Sequence, residues 1–277
     1  MKVHHLNTTT LCPWGGRHVG GEGGFFHRAP SVCHVLLIES PGGLVLVDTG
    51  CGAHAVTDPI AQMGRGFVTV FQPKFVMEET AVAQVEALGF DRLDVRHIIA
   101  THLDLDHAGG LADFPAAAVH VFKPEYEAAT HPADFKSKAR YRRHMWAHNP
   151  QWHIYDQQGE PWFGFEAVRE LEGLPPEILM VPLVGHCPGL CAAAVKSDRG
   201  WLMHCGDAYF KAGEIDPVSP TIPPLLKFFE KNVAWDYERV LANHARLAGL
   251  QRDHSDEVEV FCAHDVDEFN RLRTASN

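Results

Sequence analysis

Apolar and polar positions change their period several times along the chain, and each change marks an element. Val3–Leu11 is apolar and threonine-rich, Val32–Ser40 is nearly continuous apolar, and Leu44–Asp48 follows the turn tripeptide Pro41-Gly42-Gly43, so the chain opens with strands. Between the first two lies Pro13–Pro30, where Gly15, Gly16, Gly20, Gly21, Gly23 and Gly24 surround Phe25 and Phe26. That composition is too flexible for a core element and predicts a surface loop with an aromatic tip. From Glu78 to Leu88 the residues Ala81, Val82, Val85 and Leu88 recur at helical spacing, and Gly89 offers a C-terminal stop. The pattern then shortens to the β-branched run His97–Thr101, which ends in the polar string His102–His107 and Ala108-Gly109-Gly110: strand, loop, helix start. Ala117–Phe122 predicts another strand, and Pro124–Ala129 a helix with proline in its first turn.

Residues 131–165 differ in texture. They hold Lys136, Lys138, Arg140, Arg142 and Arg143 together with Trp146, Trp152 and Trp162, and are expected to form a partly helical insertion, which reads about equally as a lid over a site or as an extra core or dimer contact. Strands resume at Ile178–Val184, Cys191–Lys196 and Trp201–Cys205, with Asp198-Arg199-Gly200 as the last turn. A proline-rich loop, Asp216–Pro224, leads to a helix over roughly Trp235–Arg252; strand Val258–Cys262 and a helix from about Asp267 close the chain. This order predicts two similar α+β halves facing each other, sheet on sheet with helices outside, in one domain spanning 1–277.

Composition narrows the class. With 45% hydrophobic and 21% charged residues the chain can bury a sizeable core. Its net charge of −11 repels a polyanion, so nucleic acid is not an expected partner. No apolar run of about 18 residues marks a membrane span, and the first residues lack the pattern of a signal peptide. Seven cysteines, an odd number in a chain too long to need staples, are expected as reduced thiols in a cytoplasmic protein.

The string His102-Leu103-Asp104-Leu105-Asp106-His107 brings four metal-capable side chains within six positions beyond a strand end. An extended chain would put 102, 104 and 106 on one face, and a bend eased by Gly109 and Gly110 is needed for Asp106 and His107 both to reach a common point. Imidazole and carboxylate donors suit zinc and also the harder iron and manganese ions. Four donors on one ion would close it to substrate, so two ions are expected.

With these residues on the page, the chain resembles the metallo-β-lactamase superfamily of metallohydrolases. The family hallmark His-x-His-x-Asp-His stands here as His102 to His107, with Asp104 in the second position. Leu44–Gly50 matches the early strand and Asp-Thr-Gly turn, Gly185-His186-Cys187-Pro188-Gly189 the third-histidine segment, Gly206-Asp207 the bridging aspartate and Cys262-Ala263-His264-Asp265 the final histidine. The resemblance implies an αβ/βα sandwich of two facing mixed β-sheets and two divalent ions, zinc first with iron or manganese as alternatives. It assigns His102, Asp104 and His186 to one ion, Asp106, His107 and His264 to the other, and Asp207 to both. It further implies an activated water as nucleophile, with Asp106 moving the proton and Tyr209 donating a hydrogen bond to substrate, as a tyrosine does in the acyl-homoserine-lactonase branch. Asp104 replaces a neutral imidazole by an anion and so favours harder ions.

The expected function is therefore a dinuclear metal-dependent hydrolase of a small apolar acyl compound, a lactone or ester. The alternatives are an isothiocyanate or thioester hydrolase, an iron-dependent oxidoreductase or dioxygenase, and a non-catalytic sensor. Phe25, Phe26, Trp146 and Trp152 are the candidate substrate contacts. Arg140, Arg142 and Arg143 are read as solvated helix charges and Asp48 as a stabiliser of its own turn acting on the metals at one remove. A homodimer is compatible with the pattern.

Overall fold

Alternation along the strands decides the architecture. The computed structural model describes residues 1–156, 159–165 and 169–276. Strands β1 (Lys2–Leu11), β2 (Ser31–Ser40), β3 (Gly43–Val47), β4 (Val95–Ile99), β5 (Ala118–Phe122) and β6 (Gln151–Tyr155) pair in that order as one sheet. The first three are antiparallel and β3 to β6 parallel. Strands β7 (Arg169–Glu170), β8 (Ile178–Pro182), β9 (Cys191–Ser197), β10 (Gly200–His204) and β11 (Val258–Phe261) form the second sheet, antiparallel apart from the parallel β10–β11 pair. Both sheets are mixed, as expected.

In β2, Leu36 and Ile38 point at the second sheet and join Val45, Val47, Ile99, Met180, Ala193, Val195 and Phe261 in the inter-sheet core. Val35 and Leu37, one residue out of phase, join the core that helices cover on the outer face of the first sheet. On the second sheet Val181, Ala192, Ala194, Met203 and Val260 pack with Leu247 and Leu250 in a third core. The nearly continuous apolar runs in β2, β3 and β8 follow from this, since strands covered on both faces have no polar side to show.

The helices are α1 (Ala53–Thr57), α2 (Pro59–Phe71), α3 (Ala81–Ala87), α4 (Leu105–Ala108), α5 (Lys123–Thr130), α6 (Phe135–Arg140), α7 (Pro224–Val233), α8 (Tyr237–His254) and α9 (Val266–Ser276). The sequence pattern anticipated α3, α5, α8 and α9 and passed over α2 and α7. Helix α2 has Asp58 as N-cap and Pro59 in its first turn, but it is kinked at Gly64, whose φ of 81° breaks the helical period. The run 131–165 is partly helical, as expected. It supplies α6 and then β6, which pairs with β5 and so completes the first sheet. Trp146 and Trp152, expected to face substrate, pack with each other and with Tyr126 against the first sheet's outer core. No helix among the described residues is long and apolar enough to cross a membrane. All seven cysteines are buried and unbridged.

Candidate metal centre

The predicted donors come from loops at one end of the two sheets. The first sheet delivers His102 after β4, while Asp106 and His107 sit in the single turn of α4 with Asp104 as its N-cap residue. That turn supplies the bend the motif needs. Gly109 and Gly110 serve it by close approach, because a Cβ on Gly109 would lie 2.5 Å from the carbonyl oxygens of Cys51 and Leu105. The second sheet delivers His186 between β8 and β9, Asp207 after β10 and His264 after β11.

All seven side chains converge. Asp207 Oδ2 lies 3.8 Å from His102 Nε2 and 3.5 Å from His186 Nε2, and Asp104 Oδ2 lies 3.5 and 3.1 Å from the same two nitrogens. Asp207 Oδ1 lies 3.1 Å from both His107 Nε2 and His264 Nε2, and Asp106 Oδ2 is 3.7 Å from His264 Nε2. The two oxygens of Asp207 thus face two separate donor groups. Donors bound at roughly 2.1 Å around a tetrahedral ion are about 3.4 Å apart, and these separations scatter around that value.

Three of the histidines are aimed by what holds their other nitrogen. His264 Nδ1 donates to the carbonyl of Val32 at 2.7 Å, and His107 Nδ1 donates to Asp48 Oδ2 at 2.8 Å. Asp48 also accepts from the Thr101 amide and hydroxyl, both at 2.8 Å; with its hydroxyl proton so committed, Thr101 accepts from His102 Nδ1 at 3.0 Å. Each of these rings is left with Nε2 directed inward, as metal-binding histidines are in general. His102 Nε2, His107 Nε2 and Asp207 Oδ1 are buried with no hydrogen-bond partner among the described residues, a costly state that a cation between them would relieve. The donor set fits divalent metal.

The electrostatics agree. Burial would raise the Asp207 carboxyl, but His264 and His107 hold it well below the usual carboxylate range. For Asp104 burial is likewise overcome, here by Arg140 first and then by His102 and His186. Burial would lower His107, and Asp207 and Asp48 push it well above the ordinary imidazole value.

The centre forms the base of a cavity of about 820 Å³. Its wall is mostly apolar, with Met63, Phe67 and Phe71 from α2, Leu226, Phe229 and Val233 from α7, and Phe210 beside the donors, and its cations are Lys136, Arg140, Arg142 and Lys211. Phe210 stacks on His264 at 5.5 Å between ring centres and meets Phe229 edge-on at 5.6 Å. The other residues expected at the site lie elsewhere. Tyr209 is fully buried and its hydroxyl donates to Glu268 at 3.0 Å, away from the cavity that Phe210, its neighbour in sequence, lines. Phe25 and Phe26 are 55% and 84% exposed at the loop tip and do not line the cavity, whereas Trp14, Val19 and Ala29 of the same loop do.

Two residues that sequence reasoning missed organise the centre. Glu125 of α5 is wholly buried; its carboxylate accepts from the Leu103 amide at 2.9 Å and the Gly189 amide at 3.1 Å, tying the two loops that carry His102 and His186. Arg140, read as a solvated charge, is 13% exposed and its Nε lies 3.2 Å from Asp104 Oδ1. Neither has a local sequence signal, since both act across more than 20 residues. The cavity helices did leave one: Met63, Phe67, Phe71 and Leu226, Phe229, Val233 recur at helical spacing, obscured by Gly64 and Gly66 in α2 and by the prolines before α7.

Residues 28–264 match the metallo-beta-lactamase superfamily. The probable metallo-hydrolase Mb2322c of Mycobacterium bovis is 38% identical over 273 residues, covering 99% of this chain and 83% of that one. The N-acyl homoserine lactonase AttM of Rhizobium radiobacter is 37% identical over 107 residues, 39% of this chain and 40% of its own. Among solved structures, an N-acyl homoserine lactone hydrolase with N-hexanoyl-L-homoserine bound at its catalytic metal centre superposes with a TM-score of 0.72 at 21% identity, over 98% of this chain and 95% of that one.

Proposed function

Because the chain belongs to the metallo-beta-lactamase superfamily and is a hydrolase of that fold, we propose that it is a dinuclear metal-dependent hydrolase opening lactones or cleaving esters of apolar acyl compounds. The observation that carries this reading is the position of Asp207, each of whose oxygens faces its own set of donors at the base of an apolar cavity. His102, Asp104 and His186 would hold one ion and Asp106, His107 and His264 the other, with Asp207 shared. Zinc is the first candidate, iron and manganese the alternatives. Bound there, the pair would supply the Lewis acidity that activates water and polarises an acyl carbonyl.

The chain's own residues supply the rest. Helices α2 and α7 with Phe210 exclude water from the base and take up the acyl chain. Asp106, whose carboxylate reaches the cavity, carries the proton: water oxygen bonds to the acyl carbon, the acyl carbon–oxygen bond breaks, and the proton passes through Asp106 to the departing alkoxide. Tyr209 has no part in this reading, since its hydroxyl is spent on Glu268.

Turnover of γ-lactones with acyl side chains of increasing length tests the proposal on zinc- or manganese-loaded protein. Each buried methylene contributes about 0.8 kcal/mol, so kcat/KM should rise roughly fourfold per added carbon until the cavity is filled. A metal content near two per chain with no hydrolysis of any lactone or ester would overturn the substrate assignment; one ion or none per chain would overturn the dinuclear one.

A further inference from the structure

Asp104 is where this chain departs from the family motif, and the structure places beside it a cation that a metal centre would ordinarily repel. Arg140 lies at the last turn of α6, on the cavity wall. Its Nη1 donates to the carbonyl of His186 and its Nη2 to the carbonyl of Val233, both at 2.8 Å, while Nε faces Asp104 Oδ1 at 3.2 Å. The guanidinium is therefore fixed from three sides, by the third-histidine loop, by the end of α7 and by Asp104. In consequence the Asp104 carboxylate is turned so that Oδ1 meets the arginine and Oδ2 meets His102 and His186.

We infer that Arg140 is the positioning residue for Asp104, and that the two act as one unit in which the arginine both selects the oxygen offered to the metal and cancels the charge the aspartate adds. The inference rests on the reading of these donors as metal ligands. Charge counting shows why the pair must be kept or exchanged together. With neutral histidines, the first donor group carries one negative charge from Asp207, one from Asp104 and one positive charge from Arg140, a net of −1. A histidine at 104 with no arginine nearby gives the same net. Changing Asp104 alone leaves 0, with a buried guanidinium facing the ion; changing Arg140 alone leaves −2, with a carboxylate free to turn. An aspartate in the second position thus hardens the site less than its own charge suggests, and neither residue is exchangeable singly.

The test is a double-mutant cycle on the full chain, reading zinc affinity by chelator competition and the ratio of manganese to zinc retained after dialysis against both. Asp104→His alone should bind its weaker zinc at least tenfold less tightly than the parent. Arg140→Gln alone should raise the manganese share. The double variant Asp104→His/Arg140→Gln should recover most of the lost zinc affinity. Effects that simply add, with the double variant no better than Asp104→His, would overturn the inference. So would a cycle in which Arg140→Gln lowers only the melting temperature of the metal-free protein, the mark of a strap between loops. Should Asp104→His not fold, Asp104→Asn removes the same charge without added bulk and completes the cycle. A parent chain that binds no metal would instead overturn the dinuclear reading, so the two failures are distinct.

Discussion

Replacing Glu125 by glutamine probes how the two donor loops are held. The carboxylate is wholly buried and accepts two backbone N–H bonds, from Leu103 at 2.9 Å and Gly189 at 3.1 Å. Hydrogen bonds to a charged group contribute about 1.5–3 kcal/mol each. Glutamine keeps one oxygen, with the remaining bond reduced to the neutral value of about 1 kcal/mol, and directs its amide N–H at the other backbone donor. One charge-assisted bond is lost, the second is weakened and a buried donor is left unpaired; against this stands the easier burial of a neutral amide. The net cost should be about 3 kcal/mol, a large share of a stability on the order of 5–15 kcal/mol. Urea unfolding of metal-free protein measures it, with Glu127→Gln, an exposed site on the same helix, as the control expected within about 0.5 kcal/mol. Because Leu103 lies between His102 and Asp104 and Gly189 lies beyond His186, metal affinity should also fall roughly 10–100-fold. A Glu125→Gln protein indistinguishable from the control in both measurements would refute the claim that this carboxylate holds the loops together.

Asp48→Asn removes an acceptor from the His107 imidazole and the Thr101 pair and should weaken metal binding about 10–100-fold with little change in the cavity, as chelator titration would show. Gly109→Ala places a Cβ against two carbonyl oxygens and should destabilise by about 1–3 kcal/mol in urea, more than Gly66→Ala, where the added Cβ meets nothing within 4 Å. Burial raises the Glu268 carboxyl from an ordinary 4.5 to about 7. The folded state therefore holds this proton more tightly than the unfolded chain, and about 3 kcal/mol of stability is lost as pH rises from 4.5 to 7. Glu268→Gln should flatten that fall, so that its stability relative to the parent climbs across this window; parallel pH profiles would show that the group is not titrating there.

Strands covered on both faces were legible because such burial writes itself as unbroken apolar runs, as in β2, while the short, partly exposed β6 and the two-residue β7 went unread; the seven candidate donors were legible because coordination chemistry constrains their types and order. What escaped prediction was set by contacts between distant segments. Nothing local distinguishes Arg140 from Arg143 in a basic run; only the fold turns one toward Asp104 while the other's guanidinium reaches no farther than the carbonyl of Thr130. Tyr209 and Phe210 are adjacent aromatics beyond Asp207, and which of them faces the cavity depends on the buried partner Glu268, supplied 59 residues later. Trp146 and Trp152 suggested a lid because aromatic clusters suit pockets and cores equally; the pairing of β6 with β5 carries Trp152 onto the outer core, and Trp146, just ahead of β6, packs against it there.

The base of the cavity belongs to strand ends and its wall to helices strung on long connections, so chemistry and choice of substrate occupy different stretches of chain. Substitutions along α2 and α7 can reshape the wall while the donors stay put, a division of labour that lets one reaction serve many molecules. Arg140 sits across that divide. If Asp104 holds an ion as proposed, a change in the wall at this position would alter that ion as well, and a shift in substrate would there carry a shift in metal with it.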